Sequence, residues 1–264
     1  MNTPKRDYSA TPFKRLVVMG ESTVQGGAWL GQIEDRFADV LANLINTCQN
    51  IPVEYHNKGI GANAISPRSP GYEQSAKPSA LERYKTDVID LNPDLFILCY
   101  GLNDMRADMP IGDFTEDMQT IIGDVKTTCN PLIVLTTVYH MTGFGSFAPY
   151  DKGSINKTRL YNEAIRRLAE NNDCLLADVW AGQGLADWLI HPDGVHANKV
   201  GNLIIAHRIF ETIGQHCSGI TVDVHKQDAK SEWTKNATQK RKSAGDPFDP
   251  WWMPVPSSPE LSKM

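Results

Sequence analysis

Five short apolar runs, each followed by a stretch with helical spacing, constrain this chain more than any other feature of its sequence. Leu16–Met19 is rich in valine and ends on Gly20, and Pro52–His56, Leu95–Tyr100, Leu132–Val138 and Cys174–Val179 repeat the pattern. Apolar, β-branched runs of roughly four to eight residues read as strands buried on both faces. Between them, apolar residues recur at helical intervals: Ile33, Phe37, Val40, Leu41, Leu44 and Ile45; Leu81, Tyr84, Val88, Ile89 and Leu91; Met118, Ile121, Ile122 and Val125. Helices are expected as well over Ile155–Leu168 and Val200–Ile213. Strands joined through helices run parallel and are covered on both faces, so the expected fold is α/β with a five-stranded parallel sheet. In such a sheet a ligand site lies beyond the carboxyl ends of the strands.

The pattern stops near residue 214. Residues 1–14 read as an extension, 15–214 as one domain and 215–264 as a tail, polar and charged from Asp223 to Ser243 and proline-rich from Asp246 to Pro259. The adjacent Trp251 and Trp252 imply that the tail packs back on its own domain as an extended segment, or else docks another protein or a second subunit, the latter making a homo-oligomer. A formal charge of -5 and a pI near 5.8 argue against nucleic acid as a partner, since a phosphate backbone requires clustered Lys and Arg. The five cysteines show no C-x-x-C spacing, which fits neither a disulfide framework nor a structural zinc site. No cofactor is expected. The polar segment Met1–Lys14 lacks a signal-peptide core and no apolar run approaches the ~18 residues of a membrane span, so a cytoplasmic location is the expectation.

Ser22 follows the first strand directly, where its side chain faces a ligand at the sheet edge. Taken alone it reads as a helix N-cap. A nucleophilic serine needs a base, and of the seven histidines only His196 has a carboxylate three residues earlier in a loop, in Pro192-Asp193-Gly194-Val195-His196. An aspartate on one ring nitrogen fixes the tautomer and leaves the other free to take the serine proton. Acyl transfer also needs donors for an oxyanion. Asn103, in Gly101-Leu102-Asn103-Asp104 after the third strand, offers a side-chain amide, and the loop Asn57-Lys58-Gly59-Ile60-Gly61-Ala62-Asn63 offers backbone N–H groups.

Gly20-Glu21-Ser22-Thr23, Asn57-Lys58-Gly59-Ile60-Gly61-Ala62, Gly101-Leu102-Asn103-Asp104 and Asp193-Gly194-Val195-His196 resemble, in order and spacing, the four sequence blocks of the SGNH (GDSL) hydrolase superfamily. The resemblance covers residues 15 to 213. It implies a flavodoxin-like three-layer α/β/α sandwich, a catalytic triad of Ser22, His196 and Asp193, and an oxyanion hole made by the Ser22 N–H, an N–H at Ala62 and the Asn103 amide. Glu21 stands where the family has aspartate, and Ala62 where it has the oxyanion glycine. A negative φ at Ala62 would leave alanine unstrained, whereas a positive φ would strain it. Gly61 is the neighbour that could take its place in the block.

Further candidates surround these four. Trp29, Gly61, His140 and His191 are assigned to substrate binding; the aromatic loop Phe144–Tyr150 reads first as packing, with a wall of the substrate pocket as the sharper alternative. Trp180 and Trp188 are read as packing supports. Arg68 and Arg106 are read as solvated arginines, with binding of an acidic substrate group as the sharper alternative. His191-x-Asp193-x-x-His196 could be taken for a metal cluster, but a further ligand is missing and Asp193 is better explained as the orienter of His196. The resemblance implies an ester hydrolase of the carboxylesterase or acetylesterase type, acting on a short acyl ester on a small molecule or carbohydrate. A lysophospholipase or thioesterase of the same superfamily and a non-catalytic acyl-sugar-binding module are the alternatives.

Overall fold

The computed structural model describes residues 6–245. Trp251 and Trp252 lie outside the described residues. Five strands, β1 (Arg15–Gly20), β2 (Glu54–Gly59), β3 (Leu95–Cys99), β4 (Leu132–Thr136) and β5 (Leu175–Ala177), form one sheet in the order β2-β1-β3-β4-β5, every pair parallel. Between and after them run α1 (Ser22–Gln25), α2 (Phe37–Cys48), α3 (Ala80–Tyr84), α4 (Leu102–Arg106), α5 (Ile111–Thr128), α6 (Ile155–Asn171), α7 (Val179–Gln183), α8 (Lys199–His216), α9 (Val222–Lys230) and α10 (Glu232–Ser243). The sheet is the middle layer of a three-layer α/β/α sandwich. On one face α2 packs against α8, and on the other α5 packs against both α3 and α6. The order is the flavodoxin-like one, in which the chain reverses direction between β1 and β3 and leaves a crevice at their carboxyl ends.

The central strands are the apolar ones: Leu16, Phe96, Ile97, Leu98 and Val134 are all without solvent exposure. The second strand differs from its expected span. It begins at Glu54 and runs on to Gly59, where a loop was expected from Asn57. Its pairing with β1 explains the shift: each residue from Glu54 to Gly59 lies opposite one from Arg15 to Gly20, and β2 is an edge strand whose outer side can carry polar residues. Periodicity in hydrophobicity cannot report such a strand. The helix expected from Ile33 begins later, at Phe37, because Ile33–Asp35 forms a separate 3₁₀ turn before α2.

The polar stretch after residue 222 is helical rather than extended. Neither α9 nor α10 contains Gly or Pro, and Ser231 caps α10 by accepting from the Thr234 N–H at 3.1 Å. With no buried residue in either helix, an apolar stripe was never available to mark them. Among the described residues, no helix is long and apolar enough to cross a membrane.

Candidate active site

The site is assembled where three strands end in register. Gly20 lies opposite Gly59 on one side and Cys99 on the other, so the segments leaving β1, β2 and β3 emerge side by side. Gly59 is required by a close approach: a Cβ there would overlap the backbone N of Gln25, so only glycine lets α1 settle on β2. The buried Arg83 guanidinium ties these ends together. Its Nη2 donates to the Lys58 carbonyl at 2.9 Å, the Gly20 carbonyl at 3.3 Å and the Tyr100 hydroxyl at 2.7 Å, and its Nη1 to Asp87 at 2.6 Å.

Ser22 is the first residue of α1 and is 8% exposed. Its Oγ lies 2.9 Å from Nε2 of His196, and Nδ1 of His196 lies 2.7 Å from Oδ2 of Asp193. The other carboxylate oxygen, Oδ1, accepts the backbone N–H groups of Val195 at 2.8 Å and His196 at 2.9 Å. Burial opposes ionisation of Asp193, yet the N–H groups and ring of His196 and the Val195 N–H outweigh it and bring the carboxyl down to about 2. Burial also pushes the His196 imidazole below its ordinary value, helped by the Arg106 and His191 charges and opposed by Asp193. The ring is therefore a neutral acceptor with a fixed charge behind it. A hydroxyl, imidazole and carboxylate in this geometry can pass the serine proton to the ring and stabilise the resulting imidazolium.

Several contacts hold this loop. The Gly194 carbonyl accepts from the N–H groups of Thr142 at 2.9 Å and Gly143 at 2.7 Å, the Tyr139 hydroxyl donates to the Val195 carbonyl at 2.9 Å, and the His191 N–H donates to the His196 carbonyl at 2.7 Å. Trp29 lies on the imidazole itself: the two rings are stacked with centroids 3.8 Å apart and planes 13° apart.

Glu21 has a clear task. Its carboxylate is buried and accepts the N–H groups of Gly101 at 2.9 Å, Leu102 at 3.0 Å and Asn103 at 3.0 Å, which occupy the first turn of α4. Burial raises its pKa well above the ordinary carboxylate range, with the Asp104 carboxylate adding to it and the three donors pulling the other way. The residue before the serine thus fixes the backbone of Asn103. Gly101 permits that turn with a φ of 118°. The Asn103 side chain donates through Nδ2 to the Asn63 carbonyl at 3.1 Å, and its Oδ1 lies 3.5 Å from Arg106 Nη1, so the amide is oriented with a second N–H left to donate. Asn63, which the sequence did not single out, is fully buried and accepts from the Tyr100 hydroxyl at 2.6 Å while donating to the Ala76 and Pro78 carbonyls at 2.6 Å and 2.9 Å. Its buried amide is what pins the second loop to the third.

Ala62 has a φ of 50°, so alanine occupies the left-handed region. The position is the strained one, and its carbonyl is held by the Ala76 N–H at 2.9 Å. Gly61 sits against the Gln25 side chain. His191 lies beside Asp193, with its Nδ1 3.2 Å from Oδ2. His140 does not join this group: its Nε2 is 2.7 Å from Asp187 and its ring meets Trp180 edge-on, with centroids 5.9 Å apart. Trp188 is 80% exposed and cannot serve as a packing support. Among the described residues, no three His, Cys, Asp or Glu side chains gather as a possible metal site.

The two candidate arginines differ. Arg68 is ion-paired with the partly exposed Asp113, the exposed Glu116 and the buried Asp117, as a structural arginine would be. Arg106 closes α4 and is buried rather than solvated. Its Nη2 donates to the Ser146 hydroxyl, its guanidinium faces the Tyr150 ring at 5.5 Å from the centroid, and its carbonyl accepts the Lys152 N–H at 3.0 Å.

The GDSL-like lipase/acylhydrolase family model matches residues 18–204. An acetylxylan esterase from Geobacillus stearothermophilus is similar in fold, with 18% identity, a TM-score of 0.61, and 78% of this chain and 96% of that chain covered. A lipase/acylhydrolase from Enterococcus faecalis is similar at 16% identity and a TM-score of 0.61, covering 76% of this chain and 95% of that one. No curated protein matches the chain.

Proposed function

Because this chain belongs to the GDSL-like lipase/acylhydrolase family, we propose that it is a serine ester hydrolase that cleaves short acyl esters, including those carried on carbohydrate, through an acyl-enzyme on Ser22. The observation that carries the reading is the unbroken chain from Ser22 Oγ through His196 to Asp193, with links of 2.9 Å and 2.7 Å. His196 Nε2 takes the hydroxyl proton as Oγ attacks the ester carbonyl, and Asp193 stabilises the imidazolium. The carbonyl oxygen becomes an oxyanion that receives the N–H groups of Ser22 and Ala62 and the Asn103 amide, donors that are each worth about 10²- to 10³-fold in rate. The imidazolium then gives its proton to the departing alcohol, and water attacks the acyl-Ser22 ester by the reverse sequence. The acetylxylan esterase fold neighbour supports a short acyl group on a sugar as the substrate. Labelling with an organophosphonate tests the reading: modification at Ser22, with turnover of nitrophenyl acetate lost in Ser22→Ala, is expected, and a folded protein that neither labels nor turns over would overturn it.

A further inference from the structure

We propose that Arg106 binds a carboxylate or similar anionic group of the substrate beside the reacting ester. The inference rests on the esterase reading and adds a substrate class to it.

Two arginines are buried among the described residues: Arg83, 3% exposed, and Arg106, 6% exposed. A buried guanidinium carries a heavy desolvation penalty unless anions and acceptors surround it. Arg83 meets that condition through Asp87 at 2.6 Å and three further oxygen acceptors. Arg106 does not. Among the described residues no carboxylate lies within ion-pairing distance, and its guanidinium contacts are the Ser146 hydroxyl, a 3.5 Å approach to Asn103 Oδ1 and the face of Tyr150; the Nε of both arginines lacks a hydrogen-bond partner, so the missing anion is what sets Arg106 apart. The carboxylates whose fields reach it, Glu21 and Asp193, are both committed elsewhere: Glu21 to three backbone N–H groups and Asp193 to His196.

The cation belongs to the same crevice as the reacting groups. It approaches the Asn103 amide, and its charge acts on His196. The segment above it, from Phe144 to Gly153, continues from Thr142 and Gly143, which are hydrogen-bonded to the Asp193–His196 loop. Phe147 on this segment is 66% exposed and meets Tyr150 edge-on, so the segment offers an apolar wall beside a fixed charge. A planar guanidinium with uncommitted donors suits a planar carboxylate.

The anion can sit on the acyl or the alcohol side of the ester. Two pairs of esters separate these: 4-nitrophenyl hemisuccinate against 4-nitrophenyl butyrate, and 4-carboxyphenyl acetate against phenyl acetate. The wild-type enzyme is expected to favour the charged member of one pair by about 10-fold or more in kcat/KM, and the pair that shows it identifies the side. Raising the salt concentration should reduce the preference, as for any charge pair reached from solvent. Arg106→Gln is expected to lose about 30-fold more on the charged ester than on its neutral partner, and Arg106→Lys to recover part of the difference. Equal rates on charged and neutral esters in the wild type overturn the proposal while leaving the esterase reading intact, and this arm needs no variant to fold. Equal losses on both esters in a variant that melts cooperatively assign Arg106 to positioning of Asn103 instead. Failure to cleave any of the four esters overturns both readings.

Discussion

The Trp29 indole lies flat on the His196 imidazole, 3.8 Å from centroid to centroid. Stacking does two things for a base: it restricts ring rotation, and it places the electron-rich indole face against the imidazolium that forms when the proton moves. A cation over tryptophan gains about 1 kcal/mol or more when partly desolvated, and each 1.4 kcal/mol is about tenfold in rate. Trp29→Ala is therefore expected to lower kcat about tenfold, and Trp29→Phe to lose much less. Unchanged kcat in a purified Trp29→Ala sample would reduce the stack to packing.

Glu21→Ala leaves three buried N–H groups of Gly101, Leu102 and Asn103 without an acceptor. Burial and the Asp104 carboxylate oppose the ionised Glu21, so its removal costs less than three full charge-assisted bonds would suggest. A net loss of about 3 kcal/mol is expected, which lowers Tm by about 5 °C in a chain of this size. Because the same N–H groups hold Asn103, kcat should fall as well, and Glu21→Gln, which keeps one oxygen acceptor, should lie between. A Tm equal to wild type in Glu21→Ala would contradict this account.

The reach of the sequence can be judged from these residues. Ser22, Asn103, Asp193 and His196 were visible because each sits a fixed few residues from a strand end or from a helix start, and strand ends are what hydrophobic runs report. The contacts between them were not, since Trp29 meets His196, and Asn63 meets Asn103, only after the sheet has brought distant segments together. Arg68 and Arg106 look alike in the sequence, each in a segment following a motif block. Arg68, exposed, finds three carboxylates, and Arg106, buried, finds none, a distinction that belongs to packing. Similarly, α9 and α10 escaped notice because helices without a buried face leave no period in hydrophobicity.

At Ala62 the φ of 50° sets the side chain against its own backbone. The left-handed conformation costs a non-glycine residue about 1 to 2 kcal/mol, while glycine's greater freedom in the unfolded chain returns about 0.4 to 1 kcal/mol of that. Ala62→Gly is accordingly expected to raise stability by about 0.5 kcal/mol with activity retained, because the backbone N–H stays where it is. Ala62→Val, branched at Cβ, should be destabilised by more than 1 kcal/mol on the same scale, roughly. Urea unfolding of the three proteins checks the order, and a Gly variant less stable than wild type would show that the strain is absent.

With His196 as the proposed base, the pH dependence follows from which form of its ring can accept a proton. Only the neutral ring accepts the Ser22 proton, so kcat/KM should rise with pH through the His196 pKa and then level off. Burial, with the Arg106 and His191 charges, places that pKa below the ordinary 6.5 despite the opposing Asp193. The acid limb of the profile should thus have its midpoint below 6.5, and a midpoint above 7 would contradict the arrangement. Removing either neighbour should move it in opposite directions. Arg106→Gln takes away a cation that disfavours the imidazolium, so its midpoint rises. Asp193→Asn takes away the anion that favours it, so its midpoint falls, and because the amide no longer fixes the working tautomer, kcat drops by about 10³ to 10⁴. If both variants shift the midpoint the same way, the charges facing His196 are not those that set its pKa.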